Sequence, residues 1–264
     1  MSFRRKAGGA FAGGIIGTLG GLIGLGGAEF RLPVLVALFR LPTLEAVIFN
    51  KAMSLVVVAA ALLFRSGEVA FSELIARADI LVNLLAGSLI GAWFAAGQAM
   101  RLSGPALNRV LLVLLIGLAL LMFGEALFGH GENTGGLVAD GPLRWLAGFI
   151  AGLGIGAVAA LLGVAGGELL IPTLVLLYGV DIKLAGSLSL AISLPTMLAG
   201  FFRYREAAAF AVLGRERGLF LFMAVGSLAG AALGAVLLGS VPSGALTLLL
   251  ALILLVSAVK VFRH

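Results

Sequence analysis

The 264-residue sequence contains no cysteine and few charged residues. Without cysteine, the protein can form neither disulfide bonds nor thiolate metal sites. Only 11% of the residues are charged and 61% are hydrophobic, whereas roughly a quarter of the residues of an ordinary soluble domain are charged. So little polar surface cannot coat a water-soluble globule, which excludes a soluble protein.

The residues that intramembrane enzymes use are equally scarce. The only two histidines, His130 and His264, lie in a polar linker and at the C-terminus, and the sequence contains neither an HExxH motif nor a pair of membrane-embedded aspartates. Lys51 and Ser54 have the spacing of a Ser-Lys dyad, but nothing beside them in sequence supplies an oxyanion hole. We therefore predict that the protein is not an enzyme, and no residue pattern indicates a cofactor or a metal site.

Long apolar stretches rich in Leu, Ala and Gly recur from Gly8 to the C-terminus. A helix of roughly 20 apolar residues crosses the hydrocarbon core of a bilayer. A β-barrel would need short strands with alternating polar residues, and these stretches are apolar all round. The sequence therefore predicts an all-α membrane protein that contacts the lipid bilayer.

The formal net charge of +6 also suggests nucleic acid as a partner. The basic residues, however, stand singly or in pairs between apolar stretches, without interleaved aromatic residues, which disfavours nucleic-acid binding. They are better explained as anchors of cytoplasmic loops, and the cluster at residues 4–6 places the N-terminus in the cytoplasm of a bacterial inner-membrane protein. We expect the first apolar stretch to be retained, because it continues through Phe39 without a cleavage site of small residues.

An internal repeat organises the whole chain. A shift of 139 residues superimposes two distant sets of positions: Gly24 on Gly163, Gly27 on Gly166, Glu29 on Glu168, Pro33 on Pro172 and Ser54 on Ser193. We expect a first membrane repeat over residues 1–128, a linker over 129–143 and a second membrane repeat over 144–264.

Each half is predicted to consist of a Gly-rich interrupted segment followed by three transmembrane helices. The predicted ranges are 9–40, 44–64, 79–99 and 106–128 in the first half, and 148–178, 184–202, 218–238 and 244–262 in the second. Glycines upstream of the interruption, at positions 13, 17, 20 and 24 and at 152 and 156, are expected to line one helix face and let a neighbouring helix approach closely.

The orientation of the two halves depends on whether the interrupted segment crosses the membrane. If it crosses, each half has four crossings and the halves are parallel; if it dips in and returns, each has three and the halves are inverted. The distribution of Lys and Arg favours the re-entrant, inverted arrangement by a narrow margin. Interrupted segments at matching positions of two halves are also typical of inverted-repeat transporters.

The interruptions "GLGGAEF" and "GVAGGEL" are candidate anion sites. Adjacent glycines disfavour continued helix, and the segment that restarts after them offers unpaired N–H groups and the positive end of a helix dipole. We therefore predict substrate contacts at four glycines: Gly26, Gly27, Gly166 and Gly167.

Glu29 and Glu168 follow the two interruptions at the same offset. An ionisable residue inside a membrane segment is costly and by default marks a path for ions, protons or substrate. Each glutamate could instead cap its helix or pair with a neighbour such as Arg31. Their symmetric placement favours a role in proton coupling.

Polar residues of the next helix complete the predicted site. In the first half these are Asn50, Lys51 and Ser54, and at the matching positions of the second half Ser189 and Ser193. Lys51 is the only cation among them, and its alternative role is a side chain that extends to the membrane interface.

At these residues the chain resembles the TauE/SafE sulfite exporter family. The resemblance rests on "GGLIGLGGAEFRLPVLV", "AVIFNKAMS" and the second copy "GVAGGELLIPTLVLLYGVDIKLAGSLSLAIS", and it extends over essentially the whole chain. It implies a secondary transporter that exports sulfite or organosulfonates such as sulfoacetate; the oligomeric state, including a homodimer, stays open.

Two departures from the family pattern and two other functions bear on this interpretation. Ala28 and Ala165 replace one glycine each of the usual triplet, which affects the shape of the anion pocket.

A passive anion channel would share every feature except the paired glutamates that coupling to protons needs. A purely structural membrane subunit is disfavoured, because a scaffold gains nothing from two symmetric helix breaks.

Overall fold

The structure is a computed structural model, and its regular secondary structure is helical. It describes residues 3–98, 136–139, 141–162, 165–203 and 208–262, together with a few residues between 116 and 127. The helix predicted over 106–128 therefore lies mostly outside the described residues, as does about half of the linker.

The helices occur in two matching series. The first is α1 Phe3–Ile23, α2 Ala28–Ala37, α3 Thr43–Arg65 and α4 Ala78–Gln98; the second is α5 Pro142–Leu162, α6 Gly167–Tyr178, α7 Ile182–Arg203 and α8 Arg217–Ser240, followed by α9 Ser243–Phe262. Short helical turns at Phe71–Ala76, Ala208–Ala211 and Val212–Arg215 precede α4 and α8. The starts of α1, α3 and α4 are each repeated 139 residues later, so the predicted all-α fold with two homologous halves is confirmed.

The interrupted segments begin earlier than the predicted positions 9 and 148. α1 begins at Phe3, and α5 begins at Pro142, inside the predicted linker. The composition alone predicts that the basic residues near these points lie outside the helices. Lys and Arg are good helix formers, however, and both helices continue through them.

Six described helices are long and apolar enough to cross a membrane. They are α1, α3, α4, α5, α7 and α8. α2 and α6, with 10 and 12 residues, extend only about 15 and 18 Å, which is half of the hydrocarbon core. Each interrupted segment thus contains one helix of full length and one short helix, and the chain is a multi-pass membrane protein.

Glycines allow two pairs of helices to pack closely. Gly13, Gly17 and Gly21 of α1 lie directly against the backbone of α8, where a Cβ atom would clash. The prediction for Gly13 and Gly17 is confirmed. It is wrong for Gly20, which faces the interruption. Gly24 lies beyond the end of α1 and off its face, although it does allow a close approach, to the backbone of Gly186 in α7. Gly21 completes the stripe on α1.

The second close pair joins α4 and α5. Gly152 and Gly156 of α5 contact the backbone of Leu84 and Ser88 of α4, as predicted for these two glycines. α5 is the repeat of α1, and α8 is the repeat of α4. Each full-length helix that precedes an interruption therefore packs against the opposite half, and the two halves interlock.

One set of contacts gathers helix ends around Arg5, and we call this end of the molecule the Arg5 face. Arg5 near the start of α1 donates a hydrogen bond of 3.3 Å to the backbone oxygen of Phe39, just beyond α2. Arg5 also forms an ion pair of 3.3 Å with Glu216, and Arg215 pairs with Glu45 near the start of α3. The hydrogen bond and the charge of Glu45 raise the pKa of Arg215. The starts of α1, α3 and α8 and the end of α2 therefore lie together.

A second set gathers the other helix ends, and we call this end the Arg144 face. Asn83 near the start of α4 donates hydrogen bonds of 3.0 Å to the backbone oxygen of Trp145 in α5 and to the Oη of Tyr178 at the end of α6. The guanidinium of Arg144 lies 5.5 Å from the centre of the Tyr178 ring. Ser243 at the start of α9 donates a hydrogen bond of 2.8 Å to Asp181, just before α7.

Candidate functional site

The two short helices begin with the same backbone turn. Gly27 precedes α2 with φ of 71°, and Gly166 precedes α6 with φ of 80°. Both values lie in the left-handed region that glycine adopts without steric cost. Neither helix start has a hydrogen-bonded side-chain cap within the described part of the chain. The N–H groups of the first helical residues, beginning at Ala28 and Gly167, are therefore the donors that these helix ends offer.

The two interruptions contact each other inside the protein. A Cβ atom added to Gly167 would lie 3.1 Å from the Cα of Leu25, and one added to Gly26 would lie 3.6 Å from the Cβ of Ala165. These residues are buried. Two positive helix ends from opposite halves thus meet in the interior, where they favour negative charge.

Arg31 lies at this meeting point and is 0% exposed. Its Nη1 donates hydrogen bonds of 3.2 Å to Asn50 Oδ1 and 2.9 Å to Ser54 Oγ, and its Nη2 donates one of 3.2 Å to the backbone oxygen of Gly26. Asn50 in turn donates a hydrogen bond of 3.0 Å to the backbone oxygen of Ala28. The predicted residues Asn50, Ser54 and Gly26 are therefore brought together, around an arginine that the sequence analysis considered only as a neighbour of Glu29.

The second half supports its interruption without a cation at the matching position. Leu170 occupies the position equivalent to Arg31 and is buried. Ser193, which matches Ser54, donates a hydrogen bond of 2.8 Å to the backbone oxygen of Ala165. Ser189, which matches Asn50, is 0% exposed, and its Oγ has no hydrogen-bond partner among the described residues. Ser193 therefore contacts the break, and one turn earlier on α7 Ser189 has a buried hydroxyl group with no hydrogen-bond partner among the described residues.

Lys51 and the two glutamates lie on the helices that carry these residues: Lys51 on α3, Glu29 on α2 and Glu168 on α6. The side chain of Lys51 is 2% exposed and so does not extend to the surface of the protein, as the interface alternative would need. Glu29 and Glu168 lie in the first turns of α2 and α6, and the side chain of Glu168 is half-buried.

Arg65 is a second buried arginine that the sequence analysis missed. It lies at the end of α3, is 1% exposed, and donates four hydrogen bonds to groups of α1 and α7. Their acceptors are the backbone oxygens of Gly21, Leu22 and Lys183 and the Oγ of Ser187, at distances of 2.6–3.0 Å. Arg65 thus satisfies carbonyl groups at the end of α1 and joins them to the start of α7.

Comparison with known proteins agrees with this architecture. A family model described as Sulfite exporter TauE/SafE matches residues 10–261, which is nearly the whole chain. No curated protein and no solved structure matches the chain. The family consists of membrane transporters rather than enzymes, in agreement with the prediction from sequence. The chain therefore belongs to the TauE/SafE sulfite exporter family.

Proposed function

We propose that the protein is a secondary transporter that exports small sulfur oxyanions, sulfite or organosulfonates such as sulfoacetate, from the cytoplasm across the bacterial inner membrane. The observation that carries this proposal is the contact between the two interruptions beside the buried guanidinium of Arg31. An oxyanion that leaves water needs positive potential and several N–H or O–H donors at fixed positions. Irregular backbone inside a membrane protein is tolerated where it lines such a site.

The predicted site residues have distinct roles in this proposal. Gly26, Gly27, Gly166 and Gly167 form the turns that expose the helix starts. Asn50 and Ser54 orient Arg31, Ser193 stabilises the second interruption, and Ser189 contributes a hydroxyl group from the second half. Arg31 and Lys51 supply fixed positive charge on the side of the first half.

We also propose that the two halves are inverted, with the Arg5 face in the cytoplasm. Contacts within the protein support this arrangement. α1 begins at the Arg5 face, whereas its repeat α5 begins at the Arg144 face, where Asn83 contacts Trp145. α2 returns to the face from which α1 started, as the hydrogen bond from Arg5 to Phe39 indicates. Such a hairpin is re-entrant, and antiparallel short helices place both positive ends near mid-depth.

Coupling to protons is the second part of the proposal. Glu29 and Glu168 lie next to the interruptions in both halves, and a carboxyl group in this environment can exchange a proton as the site changes its access. A passive anion channel is the alternative function, because it would use the same helix ends and the same arginine without needing the two carboxyl groups.

Flux in proteoliposomes distinguishes the two functions. The purified protein is reconstituted, and a panel of sulfur oxyanions is offered with and without an imposed pH gradient. We expect sulfite or a sulfonate to accumulate above its equilibrium concentration when the gradient is present. Equilibration without accumulation would support the channel, and no flux of any sulfur oxyanion would refute the proposed function.

A further inference from the structure

A surface pocket of about 730 Å³ lies on the Arg144 face, away from the two interruptions. Its described lining consists of two short stretches of chain: Ala76, Arg77 and Asp79 before and at the start of α4, and Gly141, Pro142, Arg144 and Trp145 at the start of α5. Two arginines and one aspartate give this described lining an excess of positive charge.

The internal repeat allows the pocket to be compared with the equivalent region on the Arg5 face. Arg144 is the repeat equivalent of Arg5, and Tyr178 is the equivalent of Phe39. Both arginines lie over the equivalent ring, at 6.0 Å for Arg5 and 5.5 Å for Arg144. The two guanidinium groups therefore occupy matching environments on opposite faces.

The residue at the position of Glu216 differs in charge between the two faces. On the Arg5 face, Arg5 forms an ion pair of 3.3 Å with the carboxylate of Glu216. The repeat equivalent of Glu216 is Arg77, which lines the pocket together with Arg144. The position that holds a carboxylate on the Arg5 face thus holds a second cation on the Arg144 face.

We propose that the pocket between Arg77 and Arg144 binds a small oxyanion. Two guanidinium groups on one pocket repel each other, and a bound anion relieves that repulsion by accepting charge-assisted hydrogen bonds from both. Each of the two stretches that line the pocket also begins a helix, whose positive end favours negative charge. The carboxylate of Asp79, which belongs to the same lining, repels an anion, so binding requires the charges of both arginines.

The oxyanion can come from two sources with the same chemistry. One is the transported sulfur oxyanion, for which the pocket would be the last site before release; this identification rests on the proposed function and on the Arg144 face being external. The other is the phosphate of an anionic lipid headgroup at the membrane surface. In both cases the recognised group is a compact anion with several oxygen acceptors.

Trp145 provides a local probe, because it lines the pocket and the chain has only one other tryptophan, Trp93. The Trp93→Phe protein in a neutral detergent is titrated with sulfite in one arm and with phosphatidylglycerol in the other, and the emission of Trp145 is recorded. The Trp145→Phe protein, which keeps only Trp93, reports effects that do not arise at the pocket. We expect a saturable change with at least one of the two ligands that the control lacks.

Two variants in this background test the arginines. Arg77→Glu recreates the charge pattern of Arg5 and Glu216, and Arg77→Gln removes the charge only. Both should shift the half-saturating concentration at least about tenfold, since each loses a charge-assisted contact. Lys183→Gln, a cation change outside the described lining, should leave it unchanged. Wild-type titration of both Arg77 variants, or no response of Trp145 to either ligand, would overturn the proposal. Sulfite flux measured on the same proteins tests the proposed function separately, since binding at the pocket is recorded without transport.

Discussion

The Nη1 of Arg31 in α2 donates a hydrogen bond of 2.9 Å to the Oγ of Ser54 in α3. The equivalent residues in the second half are Leu170 and Ser193, and there the serine donates to the backbone of the interruption instead. Two interruptions that end on the same left-handed glycine are therefore unequal in charge. The first half positions a cation with its polar side chains, whereas the second half uses the same hydroxyl to stabilise its own turn.

This inequality predicts different effects of removing the two hydroxyl groups. Ser54→Ala frees the guanidinium of Arg31 from one of its acceptors and should raise the KM for sulfite several-fold. Ser193→Ala is the matched control, because it removes the same atom from the second half and should mainly lower thermal stability. Transport kinetics and thermal unfolding of both variants check this prediction. Equal changes in KM would contradict the assignment of the cationic side to the first half.

Proton coupling predicts a specific effect of Glu29→Gln and Glu168→Gln. Glutamine keeps the size and hydrogen bonding of the side chain while it removes titration, so sulfite transport should lose its dependence on an imposed pH gradient. The measurement is flux in proteoliposomes with and without that gradient. If both variants keep the wild-type rate and the wild-type pH dependence, the glutamates stabilise the helix starts and the channel alternative is favoured.

Substitution of Arg65 is expected to lower the stability of the protein. Arg65→Met keeps an unbranched side chain but leaves backbone oxygens of Gly21, Leu22 and Lys183 without their donor. Unpaired buried acceptors cost about 1–3 kcal/mol each, so the unfolding temperature in detergent should fall clearly. Arg217→Met, an exposed substitution at the start of α8, is the control and should change little. Equal unfolding temperatures of the two variants would show that the Arg65 contacts contribute no net stability.

Inverted halves predict that the two faces are labelled from opposite sides of the membrane. The chain lacks cysteine, so single cysteines can be introduced without background. Gly214→Cys lies before α8 near the Arg5 face, in a position where a side chain meets open space, and Leu137→Cys precedes α5 at a residue that is 74% exposed. An impermeant maleimide should reach Gly214→Cys from the cytoplasm and Leu137→Cys from outside. Labelling of both from one side would contradict the inverted arrangement.

Much of the fold follows from the sequence because membrane helices are specified locally. Apolar length predicts the spans, and adjacent glycines predict where helical hydrogen bonding stops. The repeat then predicts each helix boundary a second time, from the matching position in the other half. Gly27 and Gly166, which precede α2 and α6, are predicted at the two breaks in this way. The early starts of α1 and α5 were missed, because a basic flank and a basic first turn have the same composition.

The polar partners of the site were harder to predict. Asn50 and Ser54 are predicted from the sequence because they lie four residues apart and share a helix face, but their common partner Arg31 comes from another helix. Arg65 has no signal in the sequence that distinguishes it from a loop anchor, because a basic residue at a helix end is normally one. Its acceptors are carbonyl groups of α1 and of the opposite half, and only the interlocked packing brings them within reach. Pairings of this kind depend on how helices pack, which periodicity does not determine.

The central claim is that Arg31 at the paired interruptions binds the transported anion, and the concentration dependence of sulfite flux in proteoliposomes tests it most directly. Arg31→Gln removes the charge and should raise the KM for sulfite at least about tenfold, since a charge-assisted hydrogen bond contributes roughly 1.5–3 kcal/mol. Arg31→Lys keeps the charge and should lie between that variant and the wild type, and Arg217→Gln should match the wild type. Correctly folded Arg31→Gln and Arg31→Lys proteins that both transport sulfite with the wild-type KM would contradict the claim.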